Sequence, residues 1–445
     1  MAGRPSSRKV LDVWMNGEFV GHWAFTSSGG HSFSYDSSWL ENPQGRPLSL
    51  SLPLSQGTTP FSGSVVEFYF DNLLPDSLGI RKRLASKFGT DSTQAFQLLE
   101  KIGRDCIGAL QLLPSGSPAP DVRRIDAEPL SESDVERLLD DTISNRNIGV
   151  SEENMLRISI AGAQEKTALL WHHDQWCRPH GTTPTTHILK LPLGEVGGMR
   201  ADFSTSVENE WLCAKLVRAY GLPVADCSYG MFGRHKVLAV TRFDRRLING
   251  WWARLPQEDF CQVSGLPPER KYEEQGGPGI ASILDTLRGS DHAEADRTNF
   301  LTAQLIFWML AAPDGHAKNF SVSIGPQGHF WLTPLYDVMS AWPVIGKGAR
   351  EFQWQKVKMA MALHTKNAHY RIAGIQRRHW NAVAKANALG SDFEAVIQRI
   401  VSMTPAVIEA VAAELQPEFP TAVSGRIFDG LMEQVGRLNA DRSNF

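Results

Sequence analysis

The stretch APDGHAKNFSV, residues 312–322, decides how the rest of the chain is read. It closes the most apolar run in the sequence, FLTAQLIFWMLAA, residues 300–312. Pro313 disfavours helical geometry at Ala312 and brings no backbone N–H, so the apolar helix is expected to end by Ala311 or Ala312. Gly315 then permits a tight turn. Asp314, His316, Lys318 and Asn319 would sit on a polar loop pinned to a rigid buried helix. A catalytic group benefits from such anchoring.

Asp314 and Asn319 are five positions apart, the separation of Asp and Asn in a protein-kinase catalytic loop. There the Asp reaches the substrate hydroxyl and the Asn reaches a magnesium ion on the nucleotide phosphates. LTPLYDVMSA, residues 332–341, offers a second acid, Asp337, after a short apolar strand. A kinase places its other metal-binding Asp there, although no Phe-Gly follows Asp337. The spacing alone is a weak signal. Asp314 also reads as a turn or cap residue, and His316 and Lys318 as solvated loop residues. His316 has no second His at ligand spacing, so a metal-hydrolase reading finds no support.

The upstream parts come in kinase order. AGAQEKT, residues 161–167, joins two strand-like segments through small residues and could lay backbone N–H groups against phosphates. An ordinary hairpin fits it as well. In HILKLP, Lys190 stands mid-strand among Ile188, Leu189 and Leu191. A lysine there is costly unless paired, and a kinase uses a strand lysine on the α- and β-phosphates. The bland alternative is an edge-strand lysine that snorkels to water. A helix, a hinge-like strand, Asp314 with Asn319, and Asp337 follow in turn.

The 445 residues suffice for two or three domains, and 42% hydrophobic with 21% charged residues is an ordinary globular balance. A net charge of -3 argues against a chain-wide nucleic-acid binder. Cys106, Cys177, Cys213, Cys227 and Cys261 show no C-x-x-C spacing, so reduced buried thiols are expected. MAGRPSSRKV lacks the apolar segment of a signal peptide, and the run to Ala312 is shorter than the roughly 20 residues of a membrane span. No membrane association and a cytoplasmic location are expected.

VLDVWM and FVGHWAF flank Asn16-Gly17, a hairpin signature. PLSLSLPL, residues 47–54, alternates like a half-buried edge strand. Helical patterning runs from about Val66 to Leu99, and PSGSPAP, residues 114–120, reads as a linker. SESDVERLLDD predicts a short helix, and RISIAGAQEKTALLW a strand, turn and strand. SVENEWLCAKLVRAYG predicts a helix opened by Ser206 and closed by Gly221. VLAVTRF reads as a buried strand. Beyond residue 280 helices are expected almost throughout, apart from FSVSI and FWLTPLY. The expected divisions are a mixed α/β N-terminal part (1–120), a strand-rich part (121–280) and a helical part (281–445).

RPLSLSLPL, FDNLLPDS, IGRD, RISIAGAQEKTALL, GTTPTTHILKLP, RFDRR, LPQEDFCQ, GGPGIA, DGHAKNFSV and LTPLYD together resemble the HipA family, serine/threonine-kinase toxins of bacterial type II toxin–antitoxin pairs. The resemblance runs from about residue 10 to 340. It implies an α+β, protein-kinase-like fold with a mixed N-terminal portion and an all-helical C-terminal lobe. It implies Asp314 as catalytic base, Asn319 and Asp337 as Mg²⁺ ligands, and Lys190 on the ATP phosphates. Ala161, Gly162, Ala163, Gln164, Glu165 and Lys166 would cover the nucleotide. Thr241, Arg242 and Phe243 would form the hinge beside adenine, with His316, Ala317, Lys318 and Tyr336 lining the pocket. Ser159 matches the family's self-phosphorylated serine. A phosphate beside Ile158 and Ile160 would pull the loop outward and abolish ATP binding.

The resemblance further implies a HipB-like antitoxin dimer and operator DNA as partners, with partial nucleoid association. It also implies a translation component as substrate, an aminoacyl-tRNA synthetase. Glu210 could pair with Lys190 or face solvent. Lys385, Arg377 and Arg378 only partly match the family's basic DNA site, and a solvated face explains them too. Asp71, Asp76 and Asp105 read as turn and cap residues. A corepressor whose main role is binding the antitoxin on DNA is the alternative to an active enzyme, and a small-molecule kinase is a third reading.

Overall fold

The computed structural model describes residues 9–26, 28–143, 160 and 164–440. Ser159, Ala161, Gly162 and Ala163 lie outside the described residues, as does the strand expected just before them.

The chain opens with β1 (Lys9–Met15) and β2 (Glu18–Phe25), joined through Asn16 and Gly17, both at positive φ. That backbone twist matches the twist of the paired strands. β3 (His31–Tyr35), α1 (Ser37–Glu41), β4 (Phe61–Ser62), α2 (Ser64–Asp71), α3 (Leu78–Lys87), α4 (Ala95–Ile102) and β5 (Leu110–Pro114) follow. The five strands form an antiparallel sheet in the order β4-β3-β2-β1-β5. Trp23 stacks on Phe70 at 3.8 Å between centroids, and Phe33, Phe96 and Leu99 complete this core.

PLSLSLPL is not a strand. It makes one isolated bridge, Ser49 to Leu52. Its prolines leave gaps in any ladder, and side chains take the place of a neighbouring strand. The Tyr35 hydroxyl accepts from Leu48 N at 2.7 Å, and Glu258 Oε1 accepts from Leu50 N at 2.8 Å.

Next come β6 (Ala127–Pro129), α5 (Glu132–Ile143), β7 (Lys166–His172), β8 (Gln175–Pro179), β9 (His187–Lys190), β10 (Gly194–Val196), β11 (Ala201–Phe203), α6 (Ser206–Ala219), β12 (Cys227–Phe232) and β13 (His235–Thr241). Six of these strands form an antiparallel sheet in the order β12-β13-β9-β7-β8-β6, which places Lys190 on a central strand rather than an edge. Ser206 is not the cap of α6. Thr205 precedes the helix, and Ser206 Oγ accepts from Leu193 N at 2.9 Å. Gly221 ends the helix at positive φ, as expected.

β14 (Arg245–Ile248) and β15 (Trp251–Arg254) make a hairpin, and β16 (Gln257–Asp259) leads into the short α7 (Phe260–Val263). α8 (Ile280–Thr286) and α9 (Ala293–Met309) precede β17 (Ser321–Ile324) and β18 (Phe330–Leu332), which join β16 in an antiparallel sheet of order β16-β17-β18. β19 (Lys358–His364) and β20 (Ala368–Arg371) form a hairpin inside the stretch read as helical. KMAMALH is buried at five successive positions, so no alternation marks it, and Met and Ala favour helix. α10 (Arg377–Ala386), α11 (Glu394–Ala412) and α12 (Thr421–Ala440) close the chain. α11 has the length and composition to cross a membrane. It lies instead on the core through Ile397, Ile400, Val407 and Val411, with Thr404 bonded to Tyr220. All five cysteines are free, and four are buried.

Candidate active site

α9 is buried from Phe300 to Met309, and its last turn is fixed from outside. Ala311 takes a positive φ, its carbonyl accepts from Ala341 N at 3.0 Å, and Ser340 Oγ donates to Leu310 O at 2.6 Å. The helix end and the segment after Asp337 therefore hold each other. Gly315 is required by close approach: a Cβ there would meet the Phe307 ring at 2.6 Å.

Asp314, His316, Lys318, Asn319, Tyr336 and Asp337 line one cavity, together with Lys166 and Lys190. Asp314 keeps 43% of its side chain exposed, whereas His316 is buried with Nε2 3.7 Å from Asp314 Oδ1. Asn319 Nδ2 donates to the Asp314 carbonyl at 2.6 Å, which locks the two ends of the loop together. Burial lowers the His316 pKa, so the ring is neutral at ordinary pH. Ala317 is buried in the core.

Lys190 is the electrostatic centre. Its Nζ lies 2.6 Å from Glu210 Oε1 and 2.6 Å from Asp337 Oδ1. Burial opposes the lysine charge, but Asp337 and Glu210 outweigh it and raise its pKa. Burial also opposes the Asp337 charge, yet Lys190 and Lys166 hold that carboxyl well below its usual range. Glu210 behaves oppositely: burial outweighs Lys190 and pushes it up to about 7. One ammonium between two carboxylates thus stabilises one anion fully and the other only in part. Asn209 exchanges hydrogen bonds of 2.8 and 2.9 Å with Ser340, which fixes α6 and its Glu210 to the irregular segment carrying Asp337. Asp337 itself sits at φ 60, a strained left-handed conformation for a non-glycine residue.

Lys166 pairs with Lys190 across β7 and β9, and desolvation followed by that neighbouring charge lowers it to about 8. Gln164 bonds the Leu191 carbonyl, and Glu165 forms an ion pair with Arg83 of α3. Thr241, Arg242 and Phe243 line the same cavity from the end of β13 onward. Phe243 lies against Tyr336 at 5.8 Å between centroids, and Thr241 Oγ1 is 3.2 Å from His187 Nε2. The Arg242 side chain is spent in a buried cluster with Asp244, Thr185 and Cys106 O.

Three acids read as turn and cap residues have larger roles. Asp71 pairs with Arg81 at 2.6 Å. Asp105 is buried and accepts from Thr185, Arg245 and Arg254. Asp76 lies in the candidate cavity, 2.8 Å from Lys271 Nζ and 3.9 Å from Lys318 Nζ. Lys318 donates to Asn72 Oδ1 at 2.8 Å and Asp259 Oδ2 at 2.9 Å, so FDNLLPDS of the first sheet region reaches the candidate catalytic loop. Tyr272, which belongs to no motif, donates its hydroxyl to Asp314 Oδ1. Its only sequence sign was a tyrosine between a lysine and two acids before GGPG. Arg377 is not on a solvated face but buried on Glu394 and Leu438 O, while Arg378 and Lys385 are exposed.

Residues 11–113 match the family described as HipA N-terminal domain, and residues 158–409 the HipA-like C-terminal domain. The chain is 34% identical over 418 residues, 92% of each chain, to “Putative kinase Y4mE” of Sinorhizobium fredii. It is 28% identical to the serine/threonine-protein kinase toxin HipA of Shewanella oneidensis, over 74% of this chain and 75% of that one. In three dimensions it resembles the chain in the Shewanella oneidensis HipA, HipB and operator DNA complex, with a TM-score of 0.77, 23% identity and 97% coverage of both. The α+β, kinase-like fold is thereby shared along nearly the whole length. The chain belongs to the HipA family of kinases.

Proposed function

We propose that this kinase is the toxin of a toxin–antitoxin pair and transfers the γ-phosphoryl group of ATP to serine or threonine hydroxyls of a protein. The observation that carries the reading is the Lys190–Glu210–Asp337 constellation facing Asp314 and Asn319 across one cavity. Asp314, partly exposed, accepts the proton of the attacking hydroxyl. Lys190, already charged and fixed, receives ATP phosphate oxygens, and Lys166 adds a second cation beside it. The segment from Thr241 to Phe243 flanks adenine.

The residues fit a magnesium ion shared with phosphates. No cluster of three His, Cys, Asp or Glu that could cage a metal exists among the described residues. Mg²⁺ commonly takes one or two protein oxygens and completes its shell with phosphate and water. Asp337, kept anionic, and Asn319, whose amide oxygen has no hydrogen bond among the described residues, are suited to supply them. Bound there, the ion would neutralise charge developing on the phosphoryl oxygens.

Phosphorylation of Ser159, next to the nucleotide loop, would inactivate the enzyme, because a phosphate between Ile158 and Ile160 in the sequence is hard to bury and would pull the loop outward. The substrate is a translation component, an aminoacyl-tRNA synthetase, and the outcome is growth arrest. The relative solved with HipB and operator DNA supports a HipB-like antitoxin dimer and operator DNA as partners of this chain. It also supports the second reading, a corepressor with little catalysis, in the cytoplasm and partly on the nucleoid.

Purified protein incubated with γ-labelled ATP and Mg²⁺, beside Asp314→Gln, separates the two. Label at Ser159 in the wild type alone supports the kinase reading. A folded, ATP-binding protein with unmodified Ser159 that takes up no label favours the corepressor.

A further inference from the structure

Tyr272 lies on the segment between α7 and α8, and that segment is held by three other parts of the fold. Its neighbour Lys271 forms an ion pair with Asp76, which follows α2 in the first sheet region, at 2.8 Å. The Lys271 carbonyl accepts from Ala317 N of the candidate catalytic loop at 3.1 Å. Glu273 binds His364 at 2.6 Å and caps Ala362 N of β19. Glu274 pairs with Lys358 at 2.7 Å. A tight turn closes the segment, because a Cβ on Gly277 would meet Arg270 O at 2.1 Å. The tyrosine backbone is therefore fixed against three separate parts of the fold, and its ring rests edge-on to His316 at 5.0 Å.

From this platform the Tyr272 hydroxyl donates to Asp314 Oδ1. Burial, then the Asp314 charge, raise the tyrosine pKa, so the group stays a neutral donor. A carboxylate has two oxygens. With Oδ1 occupied, the side chain loses rotational freedom and Oδ2 is the oxygen left for an incoming hydroxyl.

We propose that Tyr272 is a positioning residue for phosphoryl transfer, fixing the Asp314 carboxylate through Oδ1, and that Asp76 holds it in place through Lys271. The proposal rests on the reading of Asp314 as base. It makes the first sheet region part of the catalytic apparatus, although Asp76 contributes no group to the reacting atoms. Aligning a base is worth orders of magnitude when misplacement by about 1 Å costs roughly a hundredfold.

The experiment uses the full chain, γ-labelled ATP with Mg²⁺, and dephosphorylated casein as acceptor. Tyr272→Phe, Asp76→Asn and Asp314→Asn are compared with wild type for kcat, for KM and Kd of ATP, and for unfolding midpoint. The expected result is a fall in kcat of about 10- to 100-fold for Tyr272→Phe. A smaller fall is expected for Asp76→Asn, with ATP affinity within about twofold for both and a near-wild-type midpoint for Tyr272→Phe. Asp76→Asn takes a buried counter-charge from Lys271, so its midpoint falls and its turnover is measured below that midpoint. Should Tyr272→Phe fold poorly, the Asp76→Asn split between kcat and ATP affinity decides. Wild-type or faster turnover in the tyrosine variant overturns the proposal and makes Tyr272 dispensable or a plug. Label recovered on Tyr272 overturns it in favour of an acceptor role. An Asp314→Asn variant that turns over like wild type, or a wild type that labels neither itself nor casein, overturns the underlying reading and the proposal with it.

Discussion

Lys190 and Glu210 meet at 2.6 Å in the floor of the cleft, both almost entirely withdrawn from solvent. They come from a central strand and from a helix packed on the same sheet, so the contact reports whether sheet and helix are in register. Replacing Lys190 by Met would leave the buried Glu210 and the partly exposed Asp337 without their shared cation. Removing one partner of a buried ion pair costs about 3–5 kcal/mol. Lys190→Met is expected to lose that much in urea unfolding and to lose measurable ATP binding by calorimetry. A variant as stable as wild type that still binds ATP would contradict the assignment of the lysine as the structural and phosphate centre.

Glu258 should make stability depend on pH near neutrality. It is buried, one oxygen bonds Leu50 N, and the other has no hydrogen-bond partner among the described residues. Burial pushes its pKa up to about 8 from 4.5. The folded carboxyl then keeps a proton that the unfolded chain releases. Its contribution is fully present below about pH 4.5 and is lost as pH rises through about 8. The slope is up to about 1.4 kcal/mol per pH unit within that window. Glu258→Gln removes the titration, so the difference between wild-type and variant unfolding free energies should change across pH 5–8. Parallel curves would show that Glu258 does not titrate there.

Lys318 is expected to act first as a structural tie. Its ammonium is enclosed by Asn72, Asp259 and Asp76, which belong to two regions of the fold. Burial opposes its charge, yet Asp259 and Asp76 raise its pKa. Lys318→Met should destabilise the protein by about 3–5 kcal/mol, because the acids are left without a counter-charge. Asn72→Ala should cost less, and the double variant less than the sum, since both remove the same hydrogen bond. Additive losses in chemical unfolding would argue that the two side chains do not share an interaction.

What the sequence displayed and what it hid divide along chain separation. Asn16-Gly17, the end of α9 before Pro313, and Lys190 on its apolar strand were legible because each depends on neighbours within a few positions. The grouping of Asp314, Asn319 and Asp337 was legible because kinase chemistry fixes a short spacing. Asp76 and Asp105 looked like turn residues because their partners lie far along the chain: Lys271 is 195 positions from Asp76, and Arg245 is 140 from Asp105. The alternation in PLSLSLPL looked like a strand, but Tyr35 and Glu258 supply its hydrogen bonds from distant positions. KMAMALH failed in the opposite sense, as a fully buried strand with helix-favouring residues.

Asp105 carries the last prediction. It is enclosed with Arg242, Arg245 and Arg254, and Asp244 supplies the second anion of the cluster. Burial opposes the Asp105 charge, but Arg245, Arg254 and Arg242 hold its pKa far below the ordinary 3.8. Its stabilisation is therefore present above about pH 3.8 and is lost as pH falls toward the depressed folded value. Asp105→Asn keeps the size and one acceptor oxygen but leaves three buried guanidinium groups against one carboxylate. The expected cost is about 3–5 kcal/mol at pH 7. Because Arg242 also lines the cleft beside Phe243, the damage should extend to nucleotide binding. A loss of ATP affinity parallel to the loss of stability would tie the first sheet region to the cavity lining at residues 241–243. Unchanged stability at pH 7 would mean the guanidinium groups find water when the carboxylate is gone.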